Sequence, residues 1–238
     1  MTIKIKYLEW FDVVIISIIM FSLYIDISNI NLNLGKVVLD QEITFSPTDN
    51  YSEIFLQLSS LAMVFVYLRW RNFDFSQWNI KFSWKAFEYA AIYFILLSIV
   101  IDLFFIIFDL LINQYSIKEL PTFYPSFNTL NIDVSWLLFA LVNGFYYGIF
   151  FLGICFSVQK AYLRWVILYS LLLRFLLYIP LGIDVALGCT FVWGGLIILL
   201  YHFNKSKNLA PFFLIYTFTS FLGLGILSYI ILMILKLT

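Results

Sequence analysis

Arg174 and Asn143 are the side chains in this sequence that most need a chemical explanation. Both lie deep inside long apolar runs, and the run 136–153 that holds Asn143 carries no charge at all. An arginine at mid-bilayer costs about 2.5–3.5 kcal/mol on insertion scales, so Arg174 calls for a partner or a water-filled cavity. A buried amide calls for a hydrogen-bond partner in the same way. Two chemistries would answer the arginine. A lipid phosphate or a carboxylate suits its planar fork. Alternatively, Asp102 or Asp184 supplies a structural counter-charge and ties helices together. At 1.5 Å per residue, Arg174, Asn143 and Cys189 lie about 12, 15 and 8 Å below the outer ends of their segments. With Asp102 and Asp184 they could converge on a cavity open to the outer leaflet. Cys189 is the one candidate nucleophile, if Arg174 stabilises its thiolate; otherwise it is a small buried hydrophobe. Asp102 and Asp109, seven residues apart, share a helical face and weakly indicate a carboxylate pair. The single histidine, His202, sits beside Lys205 and Lys207 and reads as an interfacial residue. No metal site, phosphate loop or nucleophile elbow is present in the sequence, so no metal and no cofactor are expected.

The elements that must position these groups are membrane spans. Of 238 residues, 63% are hydrophobic and only 12% are charged, against about 45–50% apolar in a soluble domain. Phe, Tyr and Trp are abundant, as interfacial aromatic belts require. Net charge is zero, which gives no reason to expect nucleic acid as a partner. Cys155 and Cys189 are far apart within apolar runs and do not suggest a disulfide. Lys4 and Lys6 precede an apolar run without a small-residue cleavage site, so the first segment is read as a retained helix. Seven segments reach the roughly 20 residues a span needs: 9–28, 52–70, 84–113, 133–155, 163–182, 184–202 and 209–236. Pro180-Leu181-Gly182 is a natural stop for the fifth, and Gly223 and Gly225 a bend in the seventh. Gly144, Gly148 and Gly153 allow close helix packing.

Lys4, Lys6, Arg69, Arg71, Lys81, Lys85, Lys160, Arg164, Lys205 and Lys207 fall on one side of these spans; Lys36, Lys118 and Lys236 fall on the other. The positive-inside rule makes the first side cytoplasmic. The expected architecture is therefore all-α: one polytopic transmembrane helix bundle over 1–238 with about seven spans, N-terminus cytoplasmic and C-terminus outside. Its two longest connections, about 29–51 and 114–132, face outward with Asp40, Glu42, Pro47, Asp49, Pro121 and Pro125.

Two blocks carry a family resemblance. The first reads Val142-Asn143-Gly144-Phe145-Tyr146-Tyr147-Gly148, and the second begins Leu209-Ala210-Pro211, with Tyr216 and Ser220 further along. Between them, Gly194-Gly195 opens a helix that ends in the basic turn Lys205-Ser206-Lys207-Asn208. In topology and spacing, residues 113–238 resemble the CPBP family, the CAAX-protease and bacteriocin-processing intramembrane proteins. That family places a Glu pair, an Arg, a His and an Asn where this chain has Val142-Asn143, Tyr147, Tyr216 and Ser220; the helix matching its middle His, 170–179, has none. Hydrolysis there depends on carboxylate and imidazole groups that activate water. The resemblance thus implies a degenerate member that is no metalloprotease. It points instead to bacteriocin self-immunity, or to a membrane enzyme or accessory in lipoprotein processing or acylation. The expected function is that of a bacterial plasma-membrane protein handling an acylated substrate at the outer leaflet, as an acyl-transfer enzyme or an accessory to one. The alternative is a non-catalytic immunity or scaffold protein. A transporter is disfavoured because no inverted repeat is visible. The expected partners are membrane lipids, with a lipoprotein or another membrane protein. Candidate substrate-binding residues are Arg174, Asn143, Tyr147, Asp184, Asp102 and Tyr216, with Arg174 pointing into the bundle toward Asn143 and Tyr147.

Overall fold

The computed structural model describes residues 4–25, 46–108, 110–111 and 133–223. Its helices are α1 Trp10–Phe21, α2 Pro47–Trp70, α3 Trp84–Phe108, α4 Val134–Ser157, α5 Lys160–Leu181, α6 Ile183–Phe203 and α7 Ala210–Leu222. Among the described residues there is no strand, only isolated bridges. Five helices, α2 to α6, are long and apolar enough to cross a membrane, so the chain is a helical membrane protein. The shorter apolar helices α1 and α7 fall inside the first and seventh expected spans. The first gives way to a turn at 22–24, and the second stops at Gly223, whose φ of 78° breaks the helix. Lys36, Asp40, Glu42, Asp109, Lys118, Pro121, Pro125, Gly225 and Lys236 lie outside the described residues.

Helix boundaries follow capping chemistry as well as apolarity. α2 begins five residues before the apolar run because Ser46 accepts a hydrogen bond from the Asp49 amide and Pro47 occupies the first turn. α5 tightens into a 3-10 turn at Ile179–Leu181, and Gly182, at φ 123°, turns the chain into α6. Two of the helices widen within the span. α4 is π-helical over Ile149–Ile154 and α6 over Gly188–Gly194. π-helical stretches of this kind concentrate at functional sites.

α4 is the hub, packed against α2 and α7; α3 lies on α7 and α6, and α5 on α6. In α4 and α6 56% of the spanning window is buried, against 28% in α2, α3 and α5, so those two form the interior. Small residues let α4 meet α7: a Cβ at Gly144 would overlap Thr217 Oγ1 and come within 2.7 Å of the Phe213 carbonyl oxygen, and one at Gly148 would overlap the Phe213 ring. Outward-facing apolar side chains such as Phe55, Val66, Ile92, Leu96, Leu168 and Leu172 are exposed on the remaining helices, as a lipid-facing surface requires.

One end of the bundle is knitted together by short bridges. Ile5 pairs with Phe73, Leu8 with Val158, and Asn79 with Asn208. These draw the N-terminal segment, the 71–83 connection, the α4–α5 junction and the α6–α7 turn into one layer. Trp10, Trp70, Trp84 and Trp165, all near helix ends in this layer, are exposed. Beneath it Asp12, fully buried, accepts hydrogen bonds from Tyr67 Oη at 2.6 Å, Arg71 Nη2 at 3.2 Å and the Glu9 amide at 2.9 Å. This clamp joins α1 to the end of α2. The bond to Asp12 raises the pKa of Arg71 and keeps it charged.

Candidate functional site

Arg174 is completely buried, although it stands on α5, one of the less enclosed helices. It points into the bundle, as the cost of an arginine in lipid demands. What surrounds it is aromatic. The guanidinium carbon sits 3.9 Å from the ring centroid of Phe151, 5.3 Å from that of Trp193 and 5.6 Å from that of Tyr216. Cation–π contacts of this kind strengthen when desolvated. Nη2 donates to Tyr216 Oη at 2.7 Å. The hydroxyls of Tyr147, Tyr178 and Tyr216 all lie within electrostatic reach. Gly194 is the other wall: a Cβ there would stand 2.7 Å from Arg174 Cδ and 2.8 Å from Nε.

Both π-helical stretches serve this site. Ile149–Ile154 presents Phe151, while Gly188–Gly194 presents Trp193 and Gly194. The wider turn lets a large aromatic group and a bare backbone face the same guanidinium.

The hydrogen-bonding count at the site is incomplete. Among the described residues, Arg174 Nε and Nη1 have no hydrogen-bond partner, and neither does Trp193 Nε1. Thr190 Oγ1 and Asp184 Oδ1, on the same helix as Trp193, are buried and likewise unpartnered among the described residues. Among the described residues, the ion pairs are Lys4–Asp74, Arg71–Glu9 and Arg71–Asp12; none involves Arg174. The sequence's structural alternative, an Arg174 pair with Asp102 or Asp184, is thus not among them. Asp102 is buried in α3 and Asp184 in the first turn of α6. Cys189 is buried with a free thiol, within electrostatic reach of both Arg174 and Asp184.

The remaining candidates divide into two groups. Tyr147 belongs with the arginine: its ring stacks on Tyr216 at 6.2 Å and on Phe151 at 5.9 Å. Asn143 does not. It accepts from Gln57 Nε2 at 3.0 Å and donates to Ser220 Oγ at 2.7 Å, forming a polar link across α2, α4 and α7. A second link joins the starts of α2 and α4, where Asn50 donates to Ser135 and Ser135 to Asp133. The bond from Ser135 holds the Asp133 carboxyl below its usual value. Sequence reading missed Phe151, Trp193 and Gln57 as partners, since nothing in an apolar segment marks which aromatic residue faces inward. Asp12, a charge early in the first segment, was a legible signal of the clamp with Arg71.

Among the described residues, no group of three or more His, Cys, Asp or Glu is arranged to hold a metal ion. In comparisons with known proteins, no family model, no curated protein and no solved structure matches the chain. The arrangement itself offers a buried cation with unspent N–H donors, bounded by aromatic rings.

Proposed function

We propose that this chain is a multi-pass protein of a bacterial plasma membrane that handles an acylated lipid or lipoprotein substrate at the outer leaflet, as an acyl-transfer enzyme or an accessory to one, and that it is not a protease. The observation that carries the reading is Arg174: fully buried and, among the described residues, without an ion-pair partner and without an acceptor for Nε or Nη1. A cation in that condition is stabilised by a substrate that brings acceptors to it. With the proposed seven spans and cytoplasmic N-terminus, Arg174 would lie in the outer half of the bundle.

The reading also draws on the CPBP resemblance. Four of the five matched positions meet in pairs across α4 and α7: Asn143 with Ser220, and Tyr147 with Tyr216. Amide, hydroxyl and phenol groups there bind and orient, but none is the carboxylate or imidazole that water activation uses. The same substitution favours one second reading, a non-catalytic immunity or scaffold protein.

Mass spectrometry of lipoprotein N-termini in a deletion strain tests the proposal. Altered acylation, restored by the wild-type gene and not by Arg174→Leu, is expected. Unchanged acylation would sink it. Changed bacteriocin sensitivity with unchanged acylation would favour the second reading.

A further inference from the structure

We infer that the unspent N–H groups of Arg174 and Trp193 form a binding site for one oxyanion carried on an acyl chain, either the phosphodiester of an anionic phospholipid or the carboxylate of a fatty acid. The inference deepens the reading above and rests on it for the acyl chain.

The recognition chemistry follows from what is unpaired. Arginine and the indole N–H can only donate. Arg174 Nε and Nη1 and Trp193 Nε1 are buried with no acceptor among the described residues, and the guanidinium lies 5.3 Å from the centre of the indole ring. Such a set rejects amines and ammonium groups and accepts oxygen lone pairs. Charge narrows the choice further. The guanidinium has no ion-pair partner among the described residues, so a ligand with one negative charge offsets what a neutral carbonyl leaves uncompensated. Tyr216, already accepting from Nη2, holds the guanidinium in plane and leaves its other edges to the ligand.

Gly194 lies against the arginine, whereas a Cβ at the adjacent Gly195 would meet nothing within 4 Å, so the arginine's wall stands one residue from the outer face of α6. On that face Phe191 and Leu199 are exposed apolar side chains, and Phe175 of α5 reaches Phe191 across the α5–α6 seam. A buried cation behind an apolar, lipid-facing seam fits a headgroup whose tail lies along that seam.

The test uses the purified full chain in a neutral detergent, with binding read by native mass spectrometry and by thermal midpoint. Four probes are compared: dioleoyl phosphatidylglycerol, oleate, glycerol phosphate and dioleoyl glycerol. One molecule of phosphatidylglycerol or of oleate per chain is expected, and whichever binds identifies the source of the oxyanion. Trp193→Phe keeps the ring that packs on Tyr216 and removes only the N–H; it should weaken that binding about tenfold. Arg174→Leu should remove it while the protein folds at least as well. Equal binding of dioleoyl glycerol, equal binding of glycerol phosphate, undiminished binding by Trp193→Phe, or binding of neither anionic lipid would each overturn the inference. A failed lipid test with altered lipoprotein acylation in the deletion strain would remove this site and leave the proposed function standing; the reverse pattern would do the opposite.

Discussion

At the scale of single residues, Gly194 and Gly195 form a natural experiment. Both have ordinary helical backbone angles, so alanine is favoured at either position by intrinsic propensity, about 1 kcal/mol in a helix interior. Their surroundings reverse the outcome for one of them. At Gly194 the new methyl would collide with the middle of a side chain that has no room to retreat, since Arg174 is fully buried and lies over Phe151. At Gly195 it meets open space. Gly194→Ala should therefore lower the thermal midpoint by several degrees and abolish whatever depends on Arg174, while Gly195→Ala should hold or raise the midpoint and leave activity intact. Equal behaviour of the two would show that Arg174 is not held against Gly194. The importance of Arg174 was legible in the sequence because an ionisable group in an apolar run is expensive wherever it points. Most of its partners were not legible. Of the expected neighbours Asp102, Asp184, Asn143 and Tyr147, only Tyr147 is placed with the arginine by the described contacts; the others that surround it are mainly aromatic faces, which in an aromatic-rich chain look like any other apolar residue.

At the scale of helices, the glycines of α4 make a graded series. Gly144 faces the α7 backbone, Gly148 faces the Phe213 side chain, and Gly153 faces the Trp78 ring at an ordinary 3.4 Å. A backbone cannot swing aside; a ring can do so in part. Alanine should accordingly be most destabilising at Gly144, about 1–3 kcal/mol for overpacking, less so at Gly148, and near neutral at Gly153. Phe213→Leu should recover much of the loss at Gly148 and little of that at Gly144. Thermal midpoints of the single and double variants check the order, and a Gly153 variant as damaged as the Gly144 one would overturn it. Sequence reading placed all three glycines at helix contacts, although the third meets a connection and not a helix. The five long apolar helices were legible too, since apolar length is the strongest signal a membrane imposes. The π-helical stretches were not, because their residues are individually compatible with an α-helix.

At the scale of the whole molecule, the charge asymmetry acquires a geometric basis. The bridges from Ile5 to Phe73, Leu8 to Val158 and Asn79 to Asn208 collect the connections holding the ten basic residues into one layer, closed by the Asp12–Arg71 clamp. A layer built from four separate chain segments must form on one side of the membrane, because none of its pieces can pair across a bilayer. In the proposed orientation that side faces the cytoplasm as a unit, not loop by loop. The orientation can be tested with thiol labelling in intact cells. Gln77 is exposed in the bridged layer, and Thr48 is exposed at the opposite end of α2. Cys155 and Cys189 are buried, so the unmodified protein should give little background. A membrane-impermeant maleimide should label Thr48→Cys in intact cells and label Gln77→Cys only after permeabilisation. The converse pattern would invert the bundle and carry Arg174 to the cytoplasmic half, which removes the outer-leaflet substrate from the proposal. Labelling of both sites in intact cells would be stronger still: it would show that α2 does not separate two compartments, and the assignment of spans would fall with it.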